Sequence, residues 1–131
     1  MAEFLQPPGW PAPKGYSNGV IASGRQVFLA GQIGWTESQQ LVSTRFALQV
    51  RQTLQNIVTL LAQAGGRPEH LVRLTWFVTT LDEYRAELKE IGAAYRDVIG
   101  RHYPVMSVIG VPGLVERGAK VEIEATAVIP D

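Results

Sequence analysis

Glu122 and Glu124 stand two residues apart in KVEIEATAV. Side chains at i and i+2 of a regular strand point the same way, so both carboxylates share one face. Carboxylates in a cleft handle protons. What meets a substrate opposite them is less obvious. The preceding strand, launched by Pro104 in HYPVMSVIGV, offers Ser107 as its nearest polar residue, and the neighbouring Met106 carries no charge. Taken alone, the glutamate pair reads as a solvated strand edge balanced by Lys120, and Met106 as a flexible filler of a core or interface.

Other chemistries find no support in the residues. The chain has no cysteine, which removes disulfides, thiol catalysis and cysteine-based zinc sites together. His70 precedes a strand and His102 lies in GRHYP at a helix end, where an imidazolium complements the dipole. Two histidines so far apart make no metal site. There is no serine-histidine-acid signature and no phosphate-binding glycine motif. Twelve basic residues balance twelve acidic ones, so nothing draws the whole chain to nucleic acid or to an anionic membrane. The N-terminus shows no basic region followed by an apolar one. These features predict a cytoplasmic protein with no nucleic-acid or membrane partner.

The elements that position the candidates follow from periodicity. Residues 1–15, with Pro7, Pro8, Pro11 and Pro13, read as an extended arm. YSNGVIA and VFLAGQIGW are β-prone and predict a hairpin of Tyr16–Ala22 with Gln26–Ile33, turned at Gly24. Phe46, Val50, Leu54, Ile57 and Leu61 recur at steps of three and four and place one apolar stripe on a helix. Ser43 or Thr44 is its expected cap, and Gly65-Gly66 its left-handed stop. HLVRLTWFVTT is a strand. Thr80 and Glu83 fit a capping box for a second helix with the apolar set Tyr84, Leu88, Ile91, Tyr95 and Val98. Val105–Val111 and Lys120–Ile129 complete the strands.

The order β-β-α-β-α-β-β, with one stripe per helix, predicts an α+β two-layer sandwich in a single domain, 1–131, with both helices on one sheet face. In the third strand Val72, Leu74, Trp76 and Val78 are expected on one face, and Leu71 and Phe77 on the other. A sheet still apolar on its uncovered side predicts self-association.

The segments KGYSNGV, VFLAGQI, YPVMSVIGV and VEIEATAV, in this order around two helices, resemble the RidA family, also called YjgF-like or L-PSP endoribonuclease-like. The similarity runs from Tyr16 to Ile129. It implies a chorismate-mutase-like fold, a homotrimer with a barrel-like interior and ligand clefts between subunits. The activity it implies is hydrolysis of reactive enamine and imine acids to 2-oxo acids and ammonia, without metal or organic cofactor.

Carried over residue by residue, the resemblance implies that Glu122 positions or activates the water, while Glu124 is structural. Tyr16 borders the cleft, the backbone at Gly31 approaches the ligand, and Ser107 contacts the substrate. Family members carry an arginine two residues after the proline of the YP strand, where it clamps the substrate carboxylate. Met106 stands there instead. Methionine offers no guanidinium fork, a loss worth about 2–5 kcal/mol in a partly buried cleft. Gly92 replaces an asparagine often present on the second helix. The two departures predict a substrate other than small 2-imino acids. Arg73, unusual inside an apolar strand, is the candidate replacement anion anchor, with Arg25 behind it. A catalytically inactive small-molecule-binding trimer is the alternative. The family's older endoribonuclease name finds no basic, aromatic-rich strip to support it.

Overall fold

The computed structural model describes residues 2–131. Its main sheet has four strands, β3 (Arg25–Gln32), β4 (Leu71–Val78), β5 (Val105–Gly110) and β6 (Val121–Ile129), in the order β3-β6-β4-β5. β6 runs antiparallel to both neighbours, and β4 and β5 are parallel. That last pairing requires a crossover, which the helices α2 (Leu81–Ala86) and α3 (Leu88–Val98) supply. Helix α1 (Phe46–Gln63) packs beside α3 on the same sheet face, giving the expected α+β sandwich.

The predicted α1 stripe is the core. Phe46, Val50, Leu54, Ile57 and Leu61 are fully buried against Leu74, Trp76, Val78, Ile123 and Ala127. Gly65 takes φ +79°, and the amides of Gly65 and Gly66 donate to the carbonyls of Ala62 and Leu61, so the helix stops where the glycines permit a left-handed turn.

Several expectations are corrected. The segment around Gly19–Ile21 (β2) does not form a hairpin with β3; it pairs antiparallel with Glu3–Leu5 (β1), so the proline-rich arm begins with a strand. The prolines lie in the loop that returns to β2, where Gln6 Nε2 donates to the carbonyls of Trp10 and Pro11 and Asn18 Nδ2 donates to Gln6 Oε1. In β4 a register shift between Leu71 and Arg73 turns Leu71 into the core. Val72 therefore leaves the face shared by Leu74, Trp76 and Val78. Alternation was the right rule, and the bulge breaks it.

The caps also differ. Neither Ser43 nor Thr44 caps α1; Ser43 Oγ accepts from the Arg45 amide, and the Ala47 amide in the first turn donates to Glu87 Oε1 at 3.2 Å. A carboxylate there offsets the positive end of the helix. Glu87 itself has left the helical region (φ −112°, ψ 23°), which divides the predicted second helix into α2 and α3. The Thr80–Glu83 box does not close, because Glu83 Oε2 instead accepts from Lys120 Nζ at 2.9 Å.

Candidate functional site

Tyr16 is positioned by its neighbour. The Ser17 amide donates to the Pro104 carbonyl at 3.1 Å, and its hydroxyl donates to the carbonyl of Tyr103, so the chain after the arm is stitched to the start of β5. Tyr16 thereby borders a cleft of about 350 Å³ between the sheet and α2–α3. Trp76 of β4, Met106 and Val108 of β5, Tyr84 of α2 and Arg96 of α3 contribute its other walls.

Five aromatic residues, Tyr16, Trp76, Tyr84, Tyr95 and Tyr103, line the cleft, and four of them pack ring on ring. Tyr95 and Tyr103 stack with ring centroids 5.3 Å apart, and Trp76 meets Tyr84 edge to face at 6.3 Å. The Tyr95 hydroxyl donates to the His102 carbonyl at 2.6 Å, fixing its ring between α3 and the β5 entrance. Burial pushes the Tyr84 phenol above its ordinary value, and burial followed by Tyr103 does the same for Tyr95. Both are neutral donors at physiological pH. Trp76 Nε1, among the described residues, is the one buried side-chain nitrogen without a partner.

Ser107 does not share this cleft's wall. It pairs in register with Thr75, on the face away from the helices, while Met106 pairs with the core residue Leu74. Arg73 lies on Ser107's side, opposite Val105 and Thr126. A smaller cavity of about 250 Å³ at the open edge of β5 nevertheless touches Tyr16, Arg73, Met106 and Ser107.

Glu122 occupies the helix-free face. It pairs with Phe77, whereas the buried Ala125 pairs with Leu74 and thus shares Met106's side. Its carboxylate rests on Gly31, where β3 carries an extra residue between Leu29 and Gln32. A Cβ at position 31 would overlap Oε2 and lie 2.7 Å from Cδ. Gly31 has no left-handed φ, so close approach alone accounts for the glycine. One chain therefore brings together Tyr16 with Met106, and Gly31 with Glu122, but holds the two pairs on opposite faces.

The same face carries Phe28, 72% exposed, and the loop before β6 presents Val115, fully exposed. Among the described residues no three metal-ligating side chains gather, and no helix is long and apolar enough to cross a membrane.

Sequence reasoning missed two positioning residues and one cleft cation. Gln49 is wholly buried; its Nε2 donates to the carbonyls of Ser43 and Gly118, and its Oε1 accepts from the Lys120 amide at 2.8 Å. It ties α1 to the strand that carries Glu122. The available signal was a glutamine three residues after Phe46, on the apolar face. Glu87 and Arg96 gave less, because charged residues on helices are ordinarily solvated.

Residues 10–129 match the family described as endoribonuclease L-PSP. The chain is 34% identical to a RutC family protein of Aquifex aeolicus, over 95% of this chain and 97% of that one. It is 29% identical to a human 2-iminobutanoate/2-iminopropanoate deaminase, over 86% of this chain and 79% of that protein. Among solved structures, YyfB of Yersinia pestis, a protein of the conserved Rid family, aligns with a TM-score of 0.85 at 30% identity, covering 98% of each chain.

Proposed function

Because this chain belongs to the endoribonuclease L-PSP family, the Rid/YjgF proteins, we propose that it hydrolyses reactive enamine or imine intermediates to a carbonyl product and ammonia, on a substrate other than small 2-imino acids. The observation that carries the reading is the Glu122 carboxylate, which lies over Gly31 on the strand face that lacks helices.

An enamine first takes a proton on carbon and gives one up from nitrogen to become the imine. Water held by Glu122 then adds to the C=N carbon while the nitrogen gains a proton. Loss of a proton from the new hydroxyl and cleavage of the C–N bond leave a carbonyl and ammonia. Glu122 serves as the group that orients the water and shuttles protons between oxygen and nitrogen. Tyr16 and Tyr84 offer hydroxyls at the cleft, and the backbone at Gly31 approaches the ligand. No step calls for a metal or organic cofactor.

The opposed faces of Glu122 and Met106 support assembly as a homotrimer, in which the Gly31–Glu122 side of one copy closes the Tyr16–Met106 cleft of the next. Phe28 and Val115 are suited to such burial. Ser107 and Arg73, at the open edge of β5, then line the rim of that site. The whole of 1–131 acts as one domain in this arrangement, with 1–15 as its arm, in the cytoplasm.

The test is competition with semicarbazide for imines generated by an amino-acid oxidase, comparing wild type, Glu122→Ala and Met106→Arg. Suppression of the semicarbazone of a bulkier imino acid by wild type, lost in Glu122→Ala, is the expected result. A small-imine activity gained by Met106→Arg fits the same reading. Suppression by none of the three proteins points instead to a binding protein without chemistry.

A further inference from the structure

The cleft behind Met106 contains a cation that no strand supplies. Arg96 projects from α3, and its guanidinium folds back one turn over Gly92, so that Nη1 lies 3.2 Å from the place a Cβ at 92 would occupy. Gly92 has no left-handed φ. Glycine inside a helix is disfavoured by backbone entropy, so its presence here is explained by the space it leaves for the arginine head. Among the described residues, no carboxylate lies within 4.0 Å of Arg96, and Asp97, next to it in sequence, is paired with Arg51. Lys14, at the same cleft, likewise has no ion pair among the described residues.

Around this cation the walls are Trp76, Tyr84, Tyr103 and Met106. A thioether beside aromatic rings receives another aromatic ring well, and a space of about 350 Å³ falls in the range that encloses drug-sized ligands. A three-carbon acid would leave most of it unfilled.

We propose that Arg96, seated over Gly92, anchors the substrate carboxylate in this cleft, and that Met106 with its surrounding rings selects a 2-imino acid bearing an aromatic side chain. The reacting imine rests on the function proposed above; the carboxylate and the aromatic group rest on the cleft itself.

Calorimetric titration with stable probes separates the two. Phenylpyruvate, the 2-oxo product, is compared with pyruvate, which lacks the ring, and with 4-phenylbutan-2-one, which lacks the carboxylate. Wild type should bind phenylpyruvate at least about tenfold more tightly than either, the scale of one charge-assisted carboxylate contact or of the ring's burial. Arg96→Gln should bring phenylpyruvate to the level of the neutral ketone. Gly92→Leu should do the same by filling the space beneath the guanidinium without removing charge. Lys89→Gln, on the same helix outside the cleft, controls for surface charge and should leave binding intact. Phenylpyruvate affinity unchanged in Arg96→Gln, pyruvate bound as tightly as phenylpyruvate, or the loss appearing in Arg73→Gln instead, overturns the inference.

Turnover assays then distinguish this failure from failure of the deaminase reading. Glu122-dependent hydrolysis at equal, Arg96-independent rates on small and aromatic imines removes the inference and leaves the reaction standing. Arg96-dependent phenylpyruvate binding with no imine turnover supports the inference and removes the reaction.

Discussion

Met106 and Glu122 point from opposite faces of one sheet: Met106 sits in register with Leu74 on the helix side, and Glu122 with Phe77 on the helix-free side. In this register, side-chain alternation keeps the two apart within a chain. It turns the question of chemistry into one of assembly.

The Gly31–Glu122 contact gives the sharpest single substitution. Gly31→Ala places a methyl where the carboxylate now lies. The far end of a glutamate is flexible, so the fold yields cheaply while the acid moves. Imine turnover should fall at least about tenfold, a partial loss of the roughly 10²–10⁴-fold that a positioned proton-handling group contributes. The thermal midpoint should change by only a few degrees, about 1 kcal/mol or less. A stability loss with unaltered activity per folded protein would show that the carboxylate's seat does not matter.

Gln49 is a stability prediction of a different kind. Gln49→Ala removes all three of its hydrogen bonds and strands the Lys120 amide and two carbonyls in or near the core. Buried groups left unpaired cost about 1–3 kcal/mol each, partly relieved where solvent can enter. Urea denaturation should show a loss of about 3 kcal/mol. A loss below about 1 kcal/mol would mean that these groups find water.

The tyrosines set an alkaline limit. Burial raises both Tyr84 and Tyr95 above the value near 10 that they have when unfolded. The folded state therefore holds their protons more tightly, so the stabilisation is complete below about pH 10 and is lost as pH rises through the folded values. Denaturation midpoints should be flat from neutrality to about pH 9 and then decline. Tyr95→Phe should weaken that decline, while costing about 1 kcal/mol at pH 7 for the lost bond to the His102 carbonyl. An unchanged alkaline slope would exclude Tyr95 as its source.

Much of this architecture is legible in the residues. The α1 stripe, the glycine stop and, to within one residue, the ends of β5 and β6 follow from periodicity and turn chemistry, because burial on one side of an element imposes its own spacing. The failures share a cause. β2 joins β1 instead of β3, Leu71 and Val72 exchange faces at a bulge, and the second helix breaks at Glu87, where a carboxylate serves another helix's terminus. Each is decided by a partner distant in sequence. The same holds for the site: Glu122, Gly31, Tyr16 and Met106 are singled out by type and order, but their division between two sheet faces depends on register. Arg96 escapes notice because only the empty space over Gly92 marks it.

The central claim, imine hydrolysis in a site built from two copies, is tested most directly by mixing inactive chains. Glu122→Ala lacks the acid and Tyr16→Ala lacks a cleft wall; each is purified, then the two are unfolded and refolded together at equal amounts. Random assortment in a trimer gives about a quarter of the sites an intact Glu122 from one chain and an intact Tyr16 from its neighbour. Semicarbazide competition should then recover activity toward about a quarter of wild type, although neither variant alone has any comparable rate. No recovery on mixing, with both variants folded and co-assembled, would contradict the account by placing the whole site within one chain.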